Sequence, residues 1–520
     1  MKVLLIDPKF PQIGRFTGMP PFALLCVATY LHEKGKEVEL LDMNAENLDY
    51  DELPQVIREK KPDIVGVPSS MTCFIPNSFQ VCKIVKSVDP KIVTLGGGIN
   101  FTAATKFYME RCPELDFVIR GDGEATIIDF VEALENGEKD LSKMEGLAGR
   151  KDGEIFVNSE RFVKDMDSLP FTKWELLDLD KYNMLFFPPK WGKQIQFTIS
   201  RGCPYSCNYC VATRGQGHYR SPSVDWAVEA VRRLRYKYGR RMLYTNDLCF
   251  GVNTKWSEAF FKKLIEEKID VNMCIDMRCD QIIRQKHLLP LMREAGVRVI
   301  ATGVESNLEK DEEKYQKKAG GNTPAGVSEE AVKLVKKAGI ETWNFFMMGA
   351  PDHSPEDIAK IFHFADKLDP EVPVFIIPTP LPGTPYYEQM KKYIFTDDLS
   401  LYTETQPVMK NSRMTPQELM VLYAEVWVAY HAKIKRVIRG ILSGEDTFRG
   451  WYYRKLYKRS KRYGSQIRYL QANWPTSPEE YKRLKKWAKK TLGAGNPIER
   501  ALQFLMFQVV FRLLKRTAER

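Results

Sequence analysis

The chain has 520 residues, 44% of them apolar and 28% charged, a composition that excludes a disordered or fibrous protein and calls for more than one core. No run reaches the roughly 18 to 20 apolar residues of a membrane span. Charge also breaks Met1–Asp7 too early for a signal peptide, so a soluble cytoplasmic protein is expected. The net charge of +11 is uneven: residues 431–520 hold 23 Lys and Arg against 6 Asp and Glu, which leaves −6 on the first 430.

Residues 1–140 alternate strands with helices. Val3–Asp7, Val38–Asp42, Asp63–Pro68, Ile92–Gly96 and Phe117–Arg120 read as strands. Phe22–Lys34, Asp51–Lys60 and Asn77–Val88 carry helical periodicity between them. This rhythm predicts an α/β, doubly wound Rossmann-like sheet with ligand loops at the strand C-termini. Two glycine-rich turns follow strands there, Gly96–Gly98 and Gly121–Glu124, where backbone can approach a ligand closely. Residues 141–190 read as a connector, with a small hairpin over 146–157 and an extended stretch from Leu169 to Trp174.

From 191 to 400 a second βα series begins. Its six strands start at Gln194, Met242, Val271, Val297, Glu341 and Val374, which predicts a partial (β/α)6 TIM barrel with its site at the C-terminal strand ends. The loop after the first strand places Cys203, Cys207 and Cys210 within eight residues, a C-x3-C-x2-C spacing. Three soft thiolates can hold three irons of a [4Fe-4S] cube and leave the fourth iron open to a ligand. A structural zinc site usually needs four closed ligands, and no fourth Cys or His stands at a matching spacing. The other seven cysteines are scattered, as small buried residues in a reducing compartment are. Cys249, Cys274 and Cys279 lie near strand ends, but a second cluster would need more thiols at tighter spacing.

Residues 401–520 read as a basic, α-helical C-terminal region. A helix is expected over 415–440, then two basic and aromatic runs, Phe448–Tyr463 and Tyr481–Lys490. A last helix over Ile498–Arg516 has an apolar stretch of about 14 residues, short for a span and suited to a membrane interface. Peripheral membrane contact is therefore expected, with docking of that helix on the barrel as the alternative. Basic residues interleaved with aromatics also suit RNA, a reading ranked lower.

The cysteine loop and the six strands resemble the radical S-adenosylmethionine (SAM) superfamily. The resemblance implies that the open iron binds the amino and carboxyl groups of SAM and that reductive cleavage yields a 5′-deoxyadenosyl radical. It implies a SAM site of Tyr209, Asp247, Arg278, Gly303, Glu305, Ser306 and Met347. In that set Arg278 pairs with the SAM carboxylate, where a planar fork suits two oxygens. Arg278 and Glu305 could instead form a structural ion pair, Met347 and Met348 could be core, and His218, Lys317 and Lys318 read as solvated surface.

Residues 1–140 resemble the cobalamin-binding domain found upstream of many such cores. Gly96 and Gly97 match the Gly-Gly pair that packs on the nucleotide tail, and the implied set is Pro8, Ser69, Ser70, Gly96, Gly97, Gly98, Gly121 and Glu124. Asp7-Pro-Lys-Phe-Pro-Gln-Ile-Gly14 departs from the D-x-H-x-x-G pattern. Cobalamin is expected with no His ligand below cobalt, the alternative being a domain that has lost the cofactor. Together the chain resembles class B radical SAM enzymes, similar to hopanoid methylases and to the Mg-protoporphyrin monomethyl ester oxidative cyclases. That implies cobalamin-dependent C-methylation of an unactivated carbon in an apolar, lipid- or isoprenoid-like small molecule, with an electron donor such as ferredoxin or flavodoxin. The alternatives are oxidative cyclisation or rearrangement of a porphyrin or lipid without methyl transfer, and a non-catalytic cobalamin-binding regulatory module. The cysteine triad with Arg278 and Glu305 argues against the last.

Overall fold

Alternation along the first strand sorts the N-terminal domain into two layers. In β1 (Lys2–Asp7), Val3 and Leu5 face the helices Phe22–Glu33 and Gly123–Glu135, while Leu4 and Ile6 face Ile75–Val88 and Thr105–Arg111. The computed structural model describes residues 1–9, 18–182, 186–311, 325–431, 433–444 and 446–458, together with 479, 482–483 and 486–487. Around β1 stand β2 (Glu37–Asp42), β3 (Ile64–Pro68), β4 (Val93–Gly97), β5 (Phe117–Ile119), β6 (Leu147–Lys151) and β7 (Glu154–Val157), in the order β2-β1-β3-β4-β5-β6-β7. The first five are parallel, and β6 and β7 add an antiparallel hairpin. Its turn residues, Asp152 and Gly153, both have positive φ, as a two-residue turn in a right-twisted hairpin requires. The hairpin read as part of the connector thus extends the first sheet. The strand order reverses at β1, which opens a crevice between the loop after β1 and the loop after β3.

The second sheet runs β13-β12-β11-β10-β9-β8 and is parallel throughout: β8 (Gln194–Phe197), β9 (Met242–Thr245), β10 (Asn272–Asp276), β11 (Val297–Glu305), β12 (Glu341–Met347) and β13 (Val372–Ile376). Ile195, Leu243, Met273, Ile275, Phe346 and Phe375 point outward into the helical layer. Met242, Cys274, Val299, Ala301 and Val372 point into the lumen and meet Phe187, Trp191 and Phe448. Those aromatics plug the base of the barrel. Phe187 and Phe448 have ring centroids 5.4 Å apart, and the Trp191 indole N–H donates to the Asp446 carbonyl at 2.6 Å.

The residues after the barrel complete it. Helix Pro416–His431 buries Leu419, Leu422, Val426 and Tyr430 in the barrel's outer core. Arg436 and Arg449 then pair with Asp369 and Glu371 just before β13, fixing helices Ile434–Leu442 and Phe448–Lys458. The aromatic start of the first basic run is therefore internal packing: Phe448 and Tyr453 are buried. The rest of that run, most of 481–490 and the helix expected over 498–516 lie outside the described residues. Among the described residues no helix is long and apolar enough to cross a membrane.

Candidate active site

The loop after β8 is closed at its neck. Arg201 and Arg220 exchange backbone hydrogen bonds of 2.9 and 2.8 Å, so residues 201–220 leave and return at one point. Gly202 has φ +76, and a Cβ there would lie 2.1 Å from the His218 carbonyl, so only glycine fits the bend. Cys203, Cys207 and Cys210 lie in this loop, packed with Tyr205, Tyr209, Cys249 and Val252. Among the described residues only the exposed Asp49, Asp51 and Glu52 bring three ligand atoms within 4.8 Å of one another, so the three thiols do not converge that closely. Cys249 packs beside them; its Sγ donates to the Gln281 Oε1 at 2.9 Å, and burial raises its thiol.

Arg278 follows β10 and leans over the loop. Its guanidinium carbon lies 3.9 Å from the Tyr205 ring centroid, Nε donates to Asp280 Oδ1 at 2.9 Å and Nη1 to Cys207 Sγ at 3.6 Å. Nη2 is buried and has no hydrogen-bond partner among the described residues. Arg278 and Glu305 do not pair with each other. Glu305 ends β11 with φ +65, after a register shift at Gly303, and accepts a hydrogen bond from the Tyr209 hydroxyl at 3.1 Å. Burial and the Glu305 carboxylate raise the Tyr209 phenol. Asp247 is fully buried at the end of β9 and accepts from the Ser200 hydroxyl at 2.6 Å and the Ile199 N–H at 3.3 Å, so it shapes the start of the cysteine loop. Burial pushes it up to about 6. Ser306 accepts from the Leu308 N–H at 3.1 Å within its own turn. Met347 is buried in the apolar cluster that joins the barrel to the first domain, alongside Ile6, Phe101 and Tyr386.

In the first domain, Ser69 is buried, donates to the Gly97 carbonyl at 3.1 Å and accepts from the Phe101 N–H at 3.0 Å, while Ser70 is exposed. Pro8 accepts from Asn44 Nδ2 at 2.8 Å. A Cβ on Gly96 would lie 2.9 Å from the Phe101 ring, and one on Gly98 (φ +106) 3.1 Å from Ser69 Oγ, but one on Gly97 would meet nothing within 4 Å. Among the described residues nothing covers Gly97, which presents bare backbone at the strand ends. Gly121 and Glu124 lie elsewhere. Gly121 has φ +95 and a Cβ there would be 2.2 Å from the Arg161 carbonyl, which pairs with its strand. Glu124 is buried and forks onto Arg201 at 3.0 and 2.6 Å. Burial alone would raise the Glu124 carboxyl, but the Arg201 guanidinium outweighs it and holds it low. Asp122 reaches Arg201 at 3.2 Å and Arg220 at 2.5 Å. The neck of the cysteine loop is therefore clamped by two acids of the first domain. The far side of the loop meets that domain too, since a Cβ on Gly215 would lie 2.3 Å from the Ile99 carbonyl, just past Gly96–Gly98.

Sequence reasoning passed over Arg201, Arg220 and Asp122, whose charges look like ordinary surface until the domains dock. It also passed over Asp276, at the end of β10, and Glu404. The Glu404 backbone is left-handed (φ +59), its carbonyl accepts from the Ile377 N–H at 2.7 Å, and burial with the Glu305 carboxylate raises its carboxyl.

Comparison with known proteins agrees with this geometry. The B12 binding domain family matches residues 16–131 and the Radical SAM superfamily matches residues 197–365. The chain is 29% identical to an uncharacterized methyltransferase of Pyrococcus horikoshii over 85% of this chain and 95% of that one. It is 26% identical to the anaerobic magnesium-protoporphyrin IX monomethyl ester cyclase of Rubrivivax gelatinosus (81% and 75%), and 24% identical to the hopanoid C-3 methylase of Methylococcus capsulatus (86% and 85%). The fold matches OxsB, a cobalamin-dependent SAM radical enzyme, with TM-score 0.69 at 16% identity over 100% of this chain and 80% of that one. The chain is a radical SAM enzyme with an N-terminal B12-binding domain, the class B architecture. Within that class its relatives include methyltransferases and cyclases.

These domains imply a [4Fe-4S] cluster, SAM and cobalamin, and the residues fit all three. The thiol set suits iron, the unpartnered Arg278 nitrogen suits an incoming carboxylate, and Gly97 offers a cradle that any side chain would fill.

Proposed function

We propose that the protein catalyses cobalamin-dependent C-methylation of an unactivated carbon in an apolar, lipid-like small molecule. When bound, the cluster and SAM supply a hydrogen-abstracting radical, and cobalamin supplies the methyl group. Cys203, Cys207 and Cys210 hold the cluster. Arg278 takes the SAM carboxylate through its unpartnered nitrogen, and Glu305, held by the Tyr209 hydroxyl, accepts from the SAM amine or ribose. Ser69 and Gly97 line the cobalamin crevice. The observation that carries this reading is the clamp of Glu124 and Asp122 on Arg201, with Gly215 against Ile99: the cysteine loop and the Gly96–Gly98 turn are fixed to one another. That is what a reaction needs if radical generation and methyl delivery are to meet at one substrate carbon. The aromatic lumen favours an apolar substrate. An electron donor such as ferredoxin or flavodoxin, a cytosolic location and peripheral membrane contact through the basic tail belong to the same proposal.

Anaerobically reconstituted protein, given cobalamin, a low-potential reductant, methyl-labelled SAM and a lipid extract, is expected to bind cobalamin and to form S-adenosylhomocysteine, 5′-deoxyadenosine and a product heavier by one CH2. The cyclase relatives support a second reading, oxidative cyclisation. A product that loses hydrogens, with 5′-deoxyadenosine but no S-adenosylhomocysteine, would establish that reading and overturn methyl transfer.

A further inference from the structure

Strand alternation decides which side chains enter the barrel. Met242 and Cys274 pack on the plug residues inside the lumen, so Tyr244 and Asp276, each two residues further along its strand, point the same way. Their neighbours Leu243, Met273 and Ile275 are sealed outside under helices. The lower lumen is filled. Above it, Tyr244, Asp276, Trp343, Phe345 and Val374 are only half-buried, although all lie on interior-facing positions. An inward side chain that keeps exposure inside a barrel borders open space.

The two sides of that space differ. β12 and β13 offer apolar and aromatic surface, with Trp343 and Phe345 stacked at 5.9 Å, and Tyr244 of β9 reaches across to stack on Trp343 at 6.1 Å. β10 offers a carboxyl. Nearby polar groups already have partners: Asn246 Nδ2 donates to Gln196 Oε1 at 2.7 Å, Gln196 Nε2 to the Pro20 carbonyl at 2.6 Å, and Asp247 accepts from Ser200 at 2.6 Å. The Asp276 carboxyl has no hydrogen bond or ion pair with any described residue. A ligand entering that space therefore meets an acceptor with no protein partner to displace. The neighbouring Asp247 carboxyl makes the site a poor one for an anion.

We propose that Asp276 is a specificity-determining residue. The lumen takes a ring-bearing apolar body against Trp343, Phe345 and Tyr244, and pairs that body's hydrogen-bond-donating group, a hydroxyl or amine, with the Asp276 carboxyl. The inference rests on the barrel mouth being the active site of the methyl-transfer reading above. Arg278 stands two residues beyond Asp276 at the rim beside Cys207, so a substrate anchored on Asp276 lies under the proposed SAM site.

Three naphthalene probes test this by equilibrium dialysis on full-length, cluster-reconstituted protein. 2-Naphthol is expected to bind about ten-fold tighter than the isosteric 2-methylnaphthalene, a difference of about 1.4 kcal/mol, with 2-naphthoate weakest. Asp276→Asn, which keeps an acceptor, should retain most of the hydroxyl preference. Asp276→Leu should abolish it without weakening 2-methylnaphthalene, and Asp276→Ala serves the same purpose if leucine prevents folding. Equal affinity for 2-naphthol and 2-methylnaphthalene, a preference that survives both apolar substitutions, or no binding of either probe would overturn the assignment. Formation of 5′-deoxyadenosine and S-adenosylhomocysteine by the same protein preparations, given SAM, cobalamin, a low-potential reductant and the lipid extract, reports separately on the methyl-transfer reading.

Discussion

Two carboxyls at the ends of neighbouring strands meet different fates. Asp247 is buried but accepts hydrogen bonds from Ser200 and Ile199, and it is pushed up to about 6. Asp276 has no such donors, and burial, with help from Asp247, pushes it up to about 8. Its folded value lies above the unfolded carboxyl value of about 4, so folding favours its neutral form. The stability this confers is whole below about pH 4 and is lost as pH rises through about 8. Asp276→Asn removes that loss. The melting temperature of the variant, subtracted from that of wild type across a pH series, should open a gap that widens in the variant's favour from pH 5 to 8 and then levels off. A flat difference would mean that Asp276 is ionised in the folded protein as it is in the unfolded chain. None of this was legible in the sequence. β10 could be recognised from its apolar run, and Asp276 placed at its end, but whether the lumen is open there depends on Phe187 and Phe448, residues far apart in the chain.

The cysteine loop is the element on which both proposed cofactor sites depend; its spacing alone pointed to a thiolate cluster, and the SAM chemistry came from the family resemblance. Its mounting was not legible there. Gly121–Glu124 was read as a ligand turn because glycines after a strand let backbone approach a ligand, and the resemblance put Gly121 and Glu124 in the cobalamin set. Glu124 instead pairs with Arg201, 77 residues on, and no local pattern reveals a contact between domains. Strands and helices were legible because alternation and helical periodicity are local properties, and the six barrel strands lie where those patterns put them. The short helices Ile99–Ala103 and Thr105–Arg111 were missed because both are too brief to show a period. Glu124→Gln keeps the side-chain shape and removes the charge, leaving Arg201 with Asp122 at 3.2 Å. Breaking one partner of a buried pair costs about 3 to 5 kcal/mol, and a residual acid places this case at the low end. The variant should melt several degrees lower, retain less iron after reconstitution, and form more 5′-deoxyadenosine per methylated product because the loop no longer holds its register on the first domain. Unchanged melting and iron content would show that the apolar contacts around Ile99 and Gly215 suffice to mount the loop.

At the scale of the whole molecule the predicted divisions of the chain blur. The connector gives the first sheet its hairpin and the barrel Phe187, while the C-terminal region gives Phe448, Arg436 and Arg449. A basic run rich in aromatics reads as an interaction surface, because composition cannot say which rings face inward. Here Phe448 is buried among Phe187, Trp191, Trp343 and Trp451, and the helix it begins is held by Glu341, which accepts the Phe448 and Arg449 N–H groups at 2.8 and 3.0 Å. A carboxylate at a helix N-terminus is favourable, so the first residue of β12 fixes the helix that seals the barrel beneath it. Phe448→Ala removes the ring and keeps that anchor. Its cost should fall near 3 to 5 kcal/mol, the range for emptying a packed aromatic site. Near the base of the lumen it should also loosen Trp343, seen as a red-shifted tryptophan emission, and weaken 2-methylnaphthalene binding, because Trp343 is shared between the plug and the proposed substrate space. Melting and emission indistinguishable from wild type would mean that the barrel closes on Phe187 and Trp191 alone, and that the helices after residue 433 are docked on a structure that does not need them.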